Sequence, residues 1–208
     1  MTARQNPFRS ERIESFQYRF LSGGSPEELA ARFAALGHRG ALVGPKGTGK
    51  TTLLEELEED FTANGWRICR WRLKRERRRP TAAEWLALER DLSPKDLLVT
   101  VDGAEQLPFY WWWRLRWVCR QGWAGRGVGG LLVTSHRPGL LTTLQEHRAS
   151  PELLGELVTE LLGGDPSWVS AAELHELFEA HEGNIRECLR SLYDRWGRGG
   201  CEAGKDGQ

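Results

Sequence analysis

The sequence lacks the features that direct a chain to a membrane or to a polyanion. Its 29 basic and 29 acidic residues give a formal net charge of zero, so no overall field attracts nucleic acid. The chain has no apolar leader and no uncharged apolar run near the ~20 residues that cross a bilayer. We therefore expect a cytoplasmic protein, in which any attraction to nucleic acid depends on local patches.

Cysteine is scarce and scattered along the chain. The four cysteines form neither a CxxC pair nor a Cys/His pair with the spacing of a zinc site; they are Cys69, Cys119, Cys188 and Cys201. We expect them to be reduced thiols. The 208 residues are enough for one catalytic domain with a small appendage.

Strand patterns and helix patterns alternate over the first 150 residues. Buried-strand patterns cover 40–43, 97–101 and 131–133. Residues 66–73 alternate apolar with basic residues, as a strand with one solvated side would, so Arg67, Arg70 and Arg72 are expected to face solvent. This alternation predicts a three-layer α/β/α fold on a parallel sheet.

From Pro151 onward the strand patterns stop, and three amphipathic helices predict a small helical subdomain. The expected organisation has four parts: an N-terminal arm at 1–24, an α/β core at 25–150, the helical subdomain at 151–197 and a disordered tail at 198–208.

A glycine-rich loop of the form GxxxxGK[ST] connects the first buried strand to the next helix. Such a loop points backbone N–H groups at phosphate oxygens, with the helix dipole behind them. We expect Lys50 to bridge the β- and γ-phosphates and Thr51 to bind Mg²⁺. The expected nucleotide-binding residues are Gly44, Pro45, Lys46, Gly47, Thr48, Gly49, Lys50, Thr51 and Thr52. A chance match is disfavoured because the strand and the helix that this motif requires flank the loop.

Asp102 follows the buried strand 97–101 and is the candidate for the second Mg²⁺ ligand. An acid at the end of a neighbouring strand can hold the metal directly or through water. The alternative is an N-cap for the segment that begins at Ala104. Asp102 lies about fifty residues after the phosphate-binding glycine loop, and this spacing favours the metal site over the N-cap.

The chain resembles the AAA+ and related STAND (NACHT-like) ATPases over roughly residues 37–196. Four segments carry the resemblance: the P-loop, 102–107 (Asp-Gly-Ala-Glu-Gln-Leu), 131–136 (Leu-Leu-Val-Thr-Ser-His) and 183–186 (Gly-Asn-Ile-Arg). The resemblance implies a P-loop NTPase fold with a C-terminal helical lid, and ATP with Mg²⁺ as cofactors. The absence of an NKxD-type guanine-reading motif agrees with adenine.

The second segment departs from the common AAA+ form, in which a glutamate that polarises the attacking water immediately follows the aspartate. Gly103 stands at that position. The arrangement looks more like the STAND pattern, which makes Glu105 the expected catalytic base. If Glu105 is instead an ordinary first-turn acid that faces solvent, hydrolysis is slow or absent.

The resemblance also implies two sensors of the γ-phosphate. Thr134 is the expected first sensor, although Ser135 and His136 lie within a residue or so of the same point and could simply end a strand. Arg186 matches the lid arginine of the family. An arginine in the first turn of a helix opposes the dipole and calls for an anion, which Glu187 could also supply.

Two segments suggest partners. The run 74–79 has five cations and one anion and could hold nucleic-acid phosphates, although a solvated loop is the commoner outcome. The tryptophan-rich helix 107–123 cannot turn every ring inward, so a protein partner or a second copy is expected there. Its arginines, Arg114, Arg116 and Arg120, are candidates for an arginine finger.

Three functional classes fit these features. The first is an ATPase that couples its nucleotide state to the movement of a partner. The second is a nucleotide-gated adaptor with little catalysis, which Gly103 and the short chain favour. The third is a small-molecule P-loop kinase, which lacks support because no arginine-rich lid stands between the core strands.

Overall fold

The computed structural model describes residues 6–8, 26–92, 96–120, 127–164 and 168–202. The chain divides into two compact units. The α/β unit comprises residues 19–44 and 49–147, and the helical unit comprises residues 1–18, 45–48 and 148–208.

Among the described elements, strands and helices alternate for the most part up to Glu146, and only helices follow from Pro151. The strands are β1 (Arg39–Val43), β2 (Arg67–Arg72), β3 (Leu97–Asp102), β4 (Gly130–Ser135) and β5 (Thr143–Glu146). The helices are α1 (Pro26–Ala35), α2 (Lys50–Ala63), α3 (Ala82–Arg90), α4 (Phe109–Arg120), α5 (Pro151–Leu161), α6 (Ala171–Ala180) and α7 (Ile185–Glu202), with a 3₁₀ helix at Ala104–Gln106.

The five strands form one parallel sheet in the order β2-β3-β4-β1-β5. Strand β4 therefore lies between β1, which precedes the glycine loop, and β3, which ends at Asp102. Because carboxyl ends of parallel strands meet at one edge of the sheet, Val43, Asp102 and Ser135 end close together. The predicted α/β/α parallel fold is confirmed.

Successive side chains of the central strands point to opposite faces of the sheet. On one face Val99, Val101 and Val133 pack in a core with residues of α3 and α4, among them Trp85, Trp112 and Leu115. On the other face α2 lies against β1, β3 and β4, and the side chains of Leu53, Leu54 and Leu57 are fully buried. Both faces are covered, which agrees with the mostly apolar sequences of the central strands β3 and β4.

The helical unit has its own apolar core, formed by α5, α6, α7 and the segment at residues 6–8. Phe8 is 1% exposed and packs against Trp168 and Trp196, with ring centroids 5.5 Å and 6.1 Å away. The side-chain amide of Asn6 donates to the Tyr193 carbonyl at 3.0 Å. The N-terminal segment is therefore a structural part of the helical unit.

Some elements differ from the sequence-based expectations. Strand β5 was not predicted, because it has four residues and only Leu144 is buried. Helix α7 continues through Glu202, into the segment expected to be a disordered tail. Apart from residues 6–8, the expected N-terminal arm lies outside the described residues, as do the tail beyond 202 and the end of the tryptophan-rich helix beyond Arg120.

None of the helices in the described residues is long and apolar enough to cross a membrane. The thiols of Cys69, Cys119 and Cys188 are free, and burial raises the pKa of Cys119 to about 12. The side chain of Cys201 lies outside the described part of the chain.

Replacing Phe8 by alanine should destabilise the helical unit, because it leaves a cavity between two tryptophans. We expect a loss of about 3 kcal/mol in the free energy of unfolding, measured by chemical denaturation. Phe109→Ala is the matched control: Phe109 is exposed, and its removal should change stability by less than about 0.5 kcal/mol. Equal losses in the two variants would show that the N-terminal segment does not stabilise the fold.

Candidate functional site

The glycine loop lies between the end of β1 and the start of α2. Gly49 precedes α2 with φ 80°, and no side chain in the described residues caps this helix start. The first N–H groups of a helix have no intrahelical partner. An uncapped and glycine-lined helix start offers those N–H groups, together with the helix dipole, to a phosphate.

Two glycines of the loop permit close approach of other groups. In the helical unit, Gly47 has φ 81°, and a Cβ there would collide with Oδ1 of Asn184. Asn184 accepts from the Glu187 N–H at 3.4 Å and so begins α7. In the α/β unit, a Cβ at Gly44 would lie 2.5 Å from the His147 carbonyl oxygen. Larger residues at these two positions would displace the loop.

Lys50 is buried, and its Nζ donates to the Gly44 carbonyl at 2.7 Å. Burial lowers its pKa to about 8, and the charges of Glu105 and Asp102 partly oppose this shift. The ammonium group therefore lies beside the Gly44 carbonyl and close to two acids. A triphosphate would supply the negative charge that stabilises it.

Asp102 is the point at which polar groups from three strands and a helix meet. Oγ1 of Thr51 donates to it, 3.2 Å from both carboxylate oxygens, and Oγ1 of Thr134 donates at 2.8 Å. The Gly103 N–H donates in turn to Thr134 Oγ1 at 2.8 Å. Nε of Arg72, at the end of β2, lies 3.6 Å from Oδ2. Contacts from several directions therefore fix the orientation of the Asp102 carboxylate.

This arrangement fits Mg²⁺. Neighbouring ligands of an octahedral Mg²⁺ lie about 3 Å apart, and the hydroxyl of Thr51 is 3.2 Å from the carboxylate oxygens of Asp102. No group of three or more histidine, cysteine or acidic side chains in the described ranges could hold a metal. A site with few protein ligands suits Mg²⁺, which keeps several waters and binds substrate phosphates.

Glu105 lies on the 3₁₀ helix, and its side chain is 24% exposed. Its Oε1 accepts from the side-chain amide of Gln106 at 3.2 Å and lies 3.4 Å from Nδ1 of His136. Oε2 is buried and has no hydrogen-bond partner among the described residues. A buried, unsatisfied carboxylate oxygen near Lys50 is an acceptor for a water molecule.

Gly103 cannot be exchanged for the glutamate of the common AAA+ form without strain. Its φ is 80°, in the left-handed region, and a Cβ would lie 2.9 Å from the Leu73 carbonyl oxygen. The chain turns sharply there and places Ala104–Gln106 in a 3₁₀ helix. The local backbone thus explains why position 103 has no acidic side chain. The next acid in the chain is Glu105, on the 3₁₀ helix.

The remaining expected residues fall in different places. Thr134 is buried, and its hydroxyl donates to Asp102 and accepts from the Gly103 N–H, so it orients the Asp102 carboxylate. Ser135 donates to the Arg137 carbonyl at 2.7 Å. His136 is exposed and faces Glu105.

Arg186 is exposed in the first turn of α7. Its backbone N lies 3.5 Å from the position of a Cβ on Gly47, so this turn lies beside the loop segment of its own unit. Within the loop, Thr48 donates to the Pro45 carbonyl at 2.9 Å, and Lys46 is exposed. Thr52 is half-buried in the first turn of α2.

Arg70 and Arg72 on β2 were expected to face solvent, but both bind acids of α2. Both donate to Glu55 at 2.7 Å, and Arg70 also lies 3.1 Å from Glu58. Thr100 donates to Glu58 at 2.5 Å, and burial raises the pKa of Glu58. These contacts fasten the helix of the P-loop to β2 and β3. The sequence signal for them is the pair of acids at positions 55 and 58, on one side of α2.

Comparisons with known proteins agree with this architecture. No protein-family model and no curated protein sequence matches the chain. Among solved structures, Cdc6p from Pyrobaculum aerophilum matches with a TM-score of 0.57 and 18% identity over 93% of this chain. RuvB from Thermotoga maritima, titled a Holliday junction branch migration motor, matches with a TM-score of 0.51 and 16% identity over 80% of this chain.

The chain has the P-loop NTPase fold. The match covers 66% of the Cdc6p chain and 58% of the RuvB chain, so this chain is shorter than either protein. At this level of identity, the comparisons establish the fold alone.

The lowered pKa of Lys50 should make nucleotide binding pH-dependent. The charged ammonium binds phosphate, and in the free protein it loses its proton near pH 8, whereas the triphosphate is fully ionised above about pH 7. The dissociation constant of Mg·ATP, measured by calorimetry, should rise toward about tenfold per unit above that pH. Lys50→Ala, which lacks the titrating ammonium, should show no measurable binding at any pH. Constant wild-type affinity up to pH 9.5 would contradict the assigned role.

Gly103→Ala should destabilise the protein more than Gly65→Ala does. Both glycines are left-handed, with φ of 80° and 88°, but a Cβ at Gly65 meets nothing within 4 Å. Backbone strain of about 1 kcal/mol is common to both variants, and the contact with Leu73 should add about 1 kcal/mol or more at Gly103. Thermal and chemical denaturation would measure the difference. Equal losses would mean that the turn after Asp102 adapts to a side chain.

Proposed function

We propose that this chain is an ATPase of the AAA+/STAND type, which binds ATP with Mg²⁺ and hydrolyses it to change its interaction with a partner. The observation that carries the proposal is the group of side chains at the carboxyl edge of the sheet. There Asp102 is held by Thr51 and Thr134, and the free oxygen of Glu105 lies near the buried Lys50.

Each residue has a distinct part in the proposed binding step. The loop 44–49 and the start of α2 would surround the phosphates with N–H groups, and Lys50 would exchange its contact with the Gly44 carbonyl for phosphate oxygens. Thr51 and Asp102 would hold Mg²⁺, which neutralises charge on the β- and γ-phosphates. Thr52, next to the metal-binding threonine, would lie beside the phosphates.

Glu105 would act as the general base. Its Oε2 has no partner in the described residues and is buried, so a water donating to it would be oriented and polarised. His136, which faces the other carboxylate oxygen at 3.4 Å, would position the side chain. Thr134 would orient Asp102 and report the state of the metal ligand.

Arg186 would sense the nucleotide from the helical unit. Its side chain is exposed, and the first turn of α7 adjoins Gly47 of the same unit. An exposed arginine at a helix start is available to an anion that the loop holds.

A nucleotide-gated adaptor is the second candidate. The observation that favours it is the left-handed Gly103, which removes the acid from the position it has in the common AAA+ form. In that case ATP and ADP would favour different conformations with little turnover. The two candidate functions share the nucleotide-binding site and differ only in whether Glu105 acts as a general base.

Two substitutions separate these candidates. Lys50→Ala should abolish Mg·ATP binding, whereas Glu105→Gln should retain binding and lower multiple-turnover phosphate release by about 10²-fold or more. Glu59→Gln, an exposed acid on α2, is the matched control and should leave turnover unchanged.

Unchanged turnover in Glu105→Gln would refute its role as the base. Wild-type phosphate release at the level of Lys50→Ala, with nucleotide binding intact, would instead establish the adaptor.

A further inference from the structure

Helix α4 carries large aromatic side chains on its outer side as well as in the core. Trp112 is buried and Trp111 packs against Trp85 at 5.3 Å, whereas Phe109, Tyr110 and Trp113 are 83%, 62% and 59% exposed. Three adjacent, solvent-exposed rings are costly to leave in water and often mark a binding site. They occupy the first turn and a half of the helix.

The same face of α4 continues with cations. Phe109, Trp113, Arg116 and Arg120 follow at helical spacing, so they form an exposed line about 16 Å long. The helix contains no acidic residue. Arg116 and Arg120 have no carboxylate within ion-pair distance in the described part of the chain, whereas Arg114 is bound by Glu89 at 3.1 Å and covers the Trp85 ring.

A basic turn lies at the same edge of the sheet as these rings. Lys74 and Arg77 pair through their backbones directly after β2, and α4 follows the end of β3, the adjacent parallel strand. Arg77 is neutralised by Glu84 at 3.0 Å. The other four cations are exposed and have no ion pair among the described residues: Lys74, Arg75, Arg78 and Arg79.

Exposed rings next to unpaired cations match the chemistry of a nucleic-acid strand better than that of a protein partner. Protein interfaces are also enriched in aromatic residues and arginine, but a series of exposed, unpaired cations beside rings is the combination that strand-binding surfaces use, with phosphates on the cations and bases stacked on the rings. Bases reach such rings only when they are not stacked in a duplex. Recognition of a ribose 2′-OH requires polar groups, and the three rings provide one hydroxyl, that of Tyr110, and no carboxylate. This composition favours DNA over RNA.

We propose that the surface formed by Phe109, Tyr110, Trp113 and the basic turn 74–79 binds single-stranded DNA. Phosphates lie on the unpaired cations, and bases stack on the three rings. This proposal rests on the proposed ATPase function, because the DNA strand would be the partner whose interaction ATP changes. Binding in the absence of nucleotide depends only on this surface, so the two proposals fail separately.

The experiment is a fluorescence-anisotropy titration of a labelled oligo-dT strand of about 20 nucleotides without ATP, at several salt concentrations. Phe109→Ala with Trp113→Ala should weaken binding by about tenfold or more and leave the salt slope unchanged. The triple variant Arg75→Ala, Arg78→Ala, Arg79→Ala should weaken binding and reduce the slope of log K against log salt by about 2.

Controls test each chemical contribution. Phe109→Tyr with Trp113→Phe keeps the rings and should bind like the wild type. Arg32→Ala with Arg190→Ala removes two exposed cations from α1 and α7 and should also bind like the wild type. Lys50→Ala should retain DNA binding, and a duplex of the same length should compete poorly.

Several outcomes would overturn the proposal. These are a wild-type protein that does not bind the strand at low micromolar concentration, ring variants that bind as well as the wild type, and a Lys50→Ala variant that loses the strand. An oligo-U strand that binds more than tenfold tighter would reassign the partner to RNA. If the strand does not bind and the ring variants convert a dimer to a monomer, the surface is instead a contact between two copies.

Discussion

The carboxylate of Asp102 organises the site. It ends a buried strand and receives hydroxyl groups from Thr51 on the P-loop helix and from Thr134 on the neighbouring strand, while the guanidinium of Arg72 approaches from the sheet edge. A carboxylate at the edge of an apolar core requires such partners. Satisfying it joins β2, β3, β4 and α2 at one point, so the proposed Mg²⁺ site and the stability of this edge depend on the same contacts.

The backbone after Asp102 determines where the next acid, Glu105, lies. Gly103 turns into the left-handed region against the Leu73 carbonyl, and the following 3₁₀ helix turns Glu105 back toward the buried Lys50. The base proposed here therefore depends on a turn that excludes a side chain at position 103. Lys50, buried and with a lowered pKa, needs the negative charge that a triphosphate would bring.

Helix α4 connects the site to the surface. It begins three residues after the 3₁₀ helix that carries Glu105, with Trp112 in the core and Phe109 and Trp113 in solvent. A change at the carboxyl end of β3 has a short path through this segment to the exposed rings and to the neighbouring basic turn. The proposed DNA-binding surface therefore adjoins the carboxyl edge of the same sheet, where nucleotide is proposed to bind.

The sequence alone determined the α/β fold, the P-loop and the candidates Lys50, Thr51 and Asp102, because glycine spacing and apolar periodicity are local signals. It left Thr134, Ser135 and His136 as alternatives for the first sensor of the γ-phosphate. It also predicted that Arg70 and Arg72 face solvent. The tertiary structure assigned the hydroxyl of Thr134 to Asp102 and paired the two arginines with Glu55. It also showed that Phe8 lies in the core of the helical unit. These assignments depend on contacts between residues far apart in the chain, and no local pattern encodes the strand order that brings such residues together.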